Sequence, residues 1–222
     1  FITVANYNCY PHNCPVPVRE EDLWSGYPTV DNSSYTLAKR SFLEMTEAYD
    51  KQFDTFNAVN LILSDLYGPS DHFHSDALKF IPSLLMKIKH CMENGLPLSL
   101  EGRGSDISDF LFVKDAAKAL RISMEKCNNP SPINIGSGEP KAISDIIRIC
   151  CKIMGYTGNI AWNEVSISGP FQRFLDIKKA EKEMGFKAET SLVAGLTETI
   201  VWIKENLAPV RTYAPEQAPP RR

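Results

Sequence analysis

Ser34-Tyr35-Thr36-Leu37-Ala38-Lys39-Arg40-Ser41-Phe42-Leu43-Glu44-Met45 opens a segment that runs to about Phe53. In it Ala38, Phe42, Met45 and Tyr49 fall on one face at helical spacing, so an amphipathic helix is expected. On its amino side is the strand-like run Phe1-Ile2-Thr3-Val4-Ala5, followed by a loop carrying Pro11, Pro15 and Pro17. On its carboxyl side Asn57 to Leu63 reads as a buried strand. Strand, helix, strand is the repeating unit of a parallel sheet with helices on its faces. The expected fold class is therefore α/β, with a doubly wound parallel sheet.

The pattern continues outward. After Tyr67-Gly68-Pro69 a second helix runs from about Phe80 to Glu93, where Asn94-Gly95 supplies a helix stop. Short strands near 98–100 and 110–113 flank the polar turn Gly102-Arg103-Gly104-Ser105-Asp106. Residues 114–126 read as helix, 133–135 as strand and 144–154 as helix, with Ser144 and Asp145 placed to cap its start. Two further helical stretches cover 178–184 and 192–206. Residues 1–69 are expected to form the carboxyl-terminal part of a Rossmann-like domain. Residues 70–208 should be mainly a smaller, mostly helical substrate-binding subdomain, with segments that return to the sheet. The tail 209–222, with Pro215, Pro219 and Pro220, has few apolar groups to offset ordering entropy and is expected to be disordered or to drape over a partner.

The 222 residues are 43% hydrophobic and 23% charged, a globular composition. A formal net charge of −3 gives no footprint for nucleic acid or for an anionic membrane surface, which call for a basic face. No run of ~18 apolar residues is present, so no membrane partner is expected, and the expected location is the cytoplasm. The six cysteines include no Cys-x-x-Cys pair, and several sit in apolar runs, which favours reduced, buried thiols over disulfides. His72, His74 and Cys91 have no clear fourth ligand, so no metal site is expected.

Tyr35 and Lys39 stand four residues apart on one face at the start of the long helix. A phenol titrates near pH 10 in water, and a neighbouring cation favours the phenolate. Such a pair can exchange a proton with a carbonyl or hydroxyl close to neutrality, the acid/base task that accompanies hydride transfer.

The order of motifs around that pair is distinctive. Asn6-Tyr7-Asn8-Cys9-Tyr10-Pro11 ends the first strand, Tyr-x-x-x-Lys opens the helix, and Leu66-Tyr67-Gly68-Pro69 follows the next strand. Then come Asp71-His72-Phe73-His74, Ile81-Pro82, Phe110-Leu111-Phe112-Val113-Lys114-Asp115, Asn134-Ile135-Gly136-Ser137-Gly138 and Arg173-Phe174-Leu175-Asp176. This succession resembles the NAD(P)-dependent nucleotide-sugar epimerase/dehydratase family of extended short-chain dehydrogenases, and within it the GDP-L-fucose synthase branch. The likeness extends from Phe1 to about Asn206.

The resemblance implies NADP or NAD as cofactor and a nucleoside-diphosphate sugar as substrate. It implies that Tyr35 is the acid/base and that Lys39 assists it and holds the nicotinamide ribose. Asn6 stands where the family has a Ser or Thr hydroxyl that bonds the reacting carbonyl, and Asn8 stands where the fucose synthases carry a reactive Cys. Lys79 occupies the position of a second acid/base histidine. Asp65, Asn8, Lys87, Arg103 and Arg173 are the substrate-binding candidates, the two arginines as phosphate clamps because Ser108 replaces the family's arginine. The Gly-x-x-Gly-x-x-Gly turn with which the family binds pyrophosphate at a helix start is absent from this sequence and would belong upstream of Phe1. Gly136-Ser137-Gly138 reads as the family's later substrate-domain loop.

The expected function is that of an epimerase/reductase seen as a fragment, not active as this chain alone. A non-catalytic member of the same fold in a larger assembly is the alternative. Expected partners are the sugar nucleotide, a chain supplying the cofactor turn, and a second copy in a homodimer paired through the long helix.

Overall fold

The structure is a computed structural model and describes residues 1–28, 33–73, 79–102, 104–163 and 172–207. The tail 209–222, Arg103 and His74 lie outside the described residues. In chain order the elements are β1 (Ile2–Asn6), α1 (Ser33–Gln52), β2 (Val59–Leu63), β3 (Asp65–Tyr67), α2 (Phe80–Asn94), β4 (Leu98–Glu101), β5 (Ile107–Ser108), β6 (Phe110–Phe112) and α3 (Val113–Lys126). They continue with β7 (Ile133–Ile135), β8 (Lys141–Ala142), α4 (Ile143–Met154), β9 (Ile160–Asn163), β10 (Gln172–Arg173) and α5 (Leu192–Asn206). A single π-helical turn, Ala180–Met184, precedes α5.

The first sheet has the order β1-β2-β7 and is parallel throughout, Ile2 to Asn6 pairing with Val59 to Leu63, and Leu61 to Leu63 with Ile133 to Ile135. All five residues of β2 are buried, as expected of a central parallel strand covered on both faces. On one side lie α3 and the Ala180–Met184 turn, whose Ala119 and Met184, with Phe186 just beyond the turn, join Leu61, Leu63, Ile133 and Ile135. On the other lies α1, packed through Leu43 onto Ile62 and Ala5. β3 continues past β2 and pairs in parallel with β6. A larger apolar cluster forms beyond it from α2, α4, α5 and β4. The α/β fold class is as expected, and 133–135 pairs with β2 in the first sheet. No helix among the described residues is long and apolar enough to cross a membrane.

Two local expectations are corrected. The buried residues of α1 are Thr36, Arg40, Leu43 and Thr46, whereas Phe42, Met45 and Tyr49 are 52%, 53% and 48% exposed. Periodicity identified residues that share a face, but the sheet takes the neighbouring, more polar face because its groups find partners there. Thr46 donates to Asn60 Oδ1 at 2.8 Å, and Arg40 donates to the carbonyls of Cys9 and Gly26 at 2.7 and 2.8 Å. At α4 the N-cap is Ala142, without a side-chain cap, and Asp145 instead pairs with Arg148 within the first turn. The 98–101 and 110–112 strands do not pair with each other: β4 pairs with β9 and β6 with β3, both in parallel. All six cysteines are free thiols. Trp162 and Trp202 pack on the core, and Trp24 is exposed.

Candidate functional site

In open α/β sheets the ligand crevice lies beyond the carboxyl ends of the strands. Here Asn6 ends β1 directly opposite Leu63, which ends β2. The chain leaves β1 in a 3-10 turn, Tyr7–Cys9, and leaves β2 through Ser64 into Asp65. Two strand exits side by side thus bring Tyr7 to Asp65, and the Tyr7 hydroxyl donates to Asp65 Oδ2 at 2.9 Å. Burial pushes the Asp65 carboxyl above the usual carboxylate range. The Tyr7 hydrogen bond and the charges of Lys79 and Arg173 oppose the rise, and Asp109 adds to it. Burial, with Asp65 beside it, also pushes the Tyr7 phenol up, so Tyr7 is a neutral donor.

Arg173 comes in from β10. It is only 7% exposed, donates to the carbonyls of Tyr7 and Tyr10 at 2.8 and 3.2 Å, and lies 4.7 Å above the Tyr7 ring. Its guanidinium braces the turn that carries Asn8. Ser108 lies opposite Arg173 in the β10–β5 pair. The sequence candidate for a phosphate clamp is therefore engaged with the backbone of the site's own wall.

The start of α1 flanks β1. Lys39 Nζ donates to the carbonyl of Val4 at 2.9 Å and sits 5.7 Å from the centroid of the Tyr35 ring. Tyr35 itself is half exposed. Two residues beyond Val4, Asn6 Oδ1 is sealed from solvent and accepts no hydrogen bond among the described residues. A phenol and an ammonium are donors that ribose hydroxyls accept from, so Tyr35 and Lys39 have the chemistry that holding a nicotinamide ribose requires.

The other candidates separate into two groups. Lys79 sits at the N-cap of α2 and acts electrostatically on Asp65, so it belongs with Tyr7 and Arg173. Asn8 lies half-buried within the Tyr7–Cys9 turn. Lys87 is two turns further along α2, about 12 Å from Lys79 along the helix axis, where its charge acts on Cys91. It does not join the cluster.

Two residues of the site escaped the sequence reading. Tyr7 stands one residue past the end of β1, a usable signal that its motif alone does not single out. Asp109 precedes the buried strand β6; it accepts hydrogen bonds from the Ser137 amide at 3.0 Å and from the Ser137 hydroxyl. Burial raises its carboxyl above the usual range, with Ser137 opposing. A Cβ at Gly136 would fall on Asp109 Oδ2, which explains the glycine. A loop whose amide already holds a carboxylate is the reverse of a pyrophosphate cradle, so Gly136-Ser137-Gly138 is not a cofactor turn.

Comparison with known proteins identifies relatives of this fold. Residues 3–136 match the model of the NAD dependent epimerase/dehydratase family. The probable GDP-L-fucose synthase 1 of Oryza sativa subsp. japonica is 31% identical over 199 residues, covering 89% of this chain and 60% of that protein. The GDP-L-fucose synthase of Escherichia coli (strain K12) is 29% identical over 207 residues, covering 89% and 64%. The chain thus spans less than two thirds of the length of these relatives. Among solved structures, a GDP-L-fucose synthetase from Naegleria fowleri bound to NADP superposes with a TM-score of 0.85 at 24% identity, over 92% of this chain and 66% of that one, a likeness of fold. Because the family match includes both strands of the crevice and the helix between them, the chain belongs to the NAD dependent epimerase/dehydratase family.

Proposed function

We propose that this chain is the sugar-binding and acid/base part of an NAD(P)-dependent epimerase/reductase acting on a nucleoside-diphosphate sugar, most like the GDP-L-fucose synthases. The observation that carries the reading is the placement of Tyr35 and Lys39 against β1, the strand that ends in Asn6. The names of the relatives support the substrate class, and the NADP of the Naegleria fowleri structure supports the cofactor.

When bound, the cofactor supplies hydride to the sugar carbonyl. Tyr35 gives its phenolic proton to the oxygen that becomes a hydroxyl. Lys39, fixed to the Val4 carbonyl, stabilises the resulting phenolate and holds the ribose. Asn6 orients the reacting oxygen through its amide but carries no proton of its own to transfer. Lys79 is the second acid, and Asp65 and Asn8 meet the sugar. Arg173 positions the turn beneath them. A dinucleotide-binding segment from elsewhere, in the same polypeptide or in another, completes the cofactor site. The exposed Phe42, Met45 and Tyr49 face of α1 supports pairing with a second copy. In this reading residues 1–69 belong to the Rossmann-like part and 70–208 mainly to the substrate part.

The test is a titration of the purified protein with NADPH, followed by fluorescence, and with a GDP-linked 4-keto-6-deoxyhexose, followed by calorimetry. Saturable binding of the sugar nucleotide, weakened tenfold or more by Asn6→Ala, is expected. Absence of binding by either ligand in a chain with intact circular dichroism would refute the reading. It would favour the second one, a non-catalytic member of the fold, which the replacement of a hydroxyl by Asn6 and of an arginine by Ser108 supports.

A further inference from the structure

We propose that Asp65 is a catalytic base of this site, taking a proton from the sugar carbon next to the keto group while Lys79 returns one to carbon. The assignment rests on the keto-sugar reading above and adds to it the group that breaks the C–H bond.

Three observations converge on Asp65. Its position is at the strand exits, two residues past the end of β2, in the crevice shared with Asn6. Its bonding is one-sided: Oδ2 is fixed by the Tyr7 hydroxyl at 2.9 Å, whereas Oδ1 accepts no hydrogen bond among the described residues and is not among the sealed polar atoms. Its charged surroundings are mixed, with Lys79 and Arg173 favouring the carboxylate and Asp109 opposing it. A carboxylate clamped through one oxygen, with the other free, is oriented as a general base requires. A carboxyl that also resists ionisation because of burial can hold the proton it has taken.

The step balances without any redox partner. The Oδ1 lone pair of Asp65 takes the proton from the carbon, the C–H electron pair moves into the enolate, and charge collects on the carbonyl oxygen. The Tyr35 hydroxyl and the Asn6 amide donate hydrogen bonds to that oxygen. The Lys79 ammonium then gives a proton to the carbon and the carbonyl re-forms. Transfer of the proton from the Asp65 carboxyl to the Lys79 amine restores both groups, leaving an inverted carbon.

The exchange half of this reaction needs no NADPH, so it is read in D2O with the purified protein and a GDP-linked 4-keto-6-deoxyhexose, by NMR of the ring protons next to the carbonyl. The parent is expected to exchange them. Asp65→Asn, which keeps an acceptor for Tyr7, should slow exchange about 100-fold or more at saturating sugar nucleotide, and Asp65→Glu should recover part of the rate. Tyr7→Phe removes a hydrogen bond that favours the carboxylate, so the acid limb of the exchange profile should move to higher pH. A merely structural Asp65 would not produce that movement. Equal exchange in the parent and Asp65→Asn, an unmoved limb in Tyr7→Phe, or binding without exchange in the parent would each overturn the assignment while leaving the sugar-nucleotide reading intact. Failure of the parent to bind would overturn both.

Discussion

Thr46→Val is a sharp perturbation of the contact that sets α1, and with it Tyr35 and Lys39, against the sheet. The two side chains have nearly the same shape, so no cavity opens. The Thr46 hydroxyl lies 2.8 Å from Asn60 Oδ1 and 2.9 to 3.0 Å from the carbonyls of Leu43 and Phe42. Its single proton belongs on Asn60 Oδ1, because the helix carbonyls have backbone donors and that oxygen has no other. Asn60, the second residue of β2, is fully buried, and its amide nitrogen is held by Pro130 O at 2.7 Å, so it cannot turn to water. An orphaned acceptor there costs about 1–3 kcal/mol. At about 2 kcal/mol, a chain of this size should melt about 4–8 °C lower. Calorimetric melting of Thr46→Val beside Ser41→Ala is the assay. Ser41 makes an equivalent bond to Leu37 O on the exposed face, so its loss should cost within about 0.5 kcal/mol. Equal melting of Thr46→Val and the parent would show that Asn60 is not sealed by this helix and would refute the packing argument.

Asp65→Asn should remove the pH dependence of stability that a carboxyl of raised pKa creates. In the parent that contribution is present below the ordinary Asp value of 3.8 and is lost as pH rises through the elevated value. The variant should therefore gain on the parent on going from about pH 4 to about pH 8, as read by urea unfolding at each pH; a constant difference would count against the burial. Gly136→Ala forces a methyl onto Asp109 and should cost about 1–3 kcal/mol, detectable as a lower urea midpoint with unchanged slope. Phe42→Glu combined with Tyr49→Glu should convert a dimer to monomers in sedimentation at micromolar concentration without changing the circular dichroism, and a parent that is already monomeric would refute pairing through α1.

Much of the architecture was legible because local patterns and global packing agree. The unbroken apolar run of β2, the Gly95 stop of α2 and the helical period of 192–206 each report a backbone preference that tertiary contacts reinforce. The exposed face of α1 was not legible in the same way: periodicity reports which residues are neighbours, and the sheet chose the face where Arg40 and Thr46 could satisfy carbonyls. The parallel pairing of β4 with β9, whose partners such as Leu98 and Ile160 are 62 positions apart in the chain, likewise has no local signature.

The candidate site divides along the same line. Sequence by itself determined the Tyr35–Lys39 spacing, the motif order that identifies the family, and the amide at Asn6, because these are matters of residue type and local spacing. Only the tertiary structure decided that Tyr7 clamps Asp65, that Arg173 serves the backbone of the Tyr7–Tyr10 turn, and that Lys87 stands apart from Lys79 and the cluster around Asp65. Those relations join residues as far as 166 positions apart, and they depend on burial and on which strand ends lie side by side, quantities that exist only once the chain has folded.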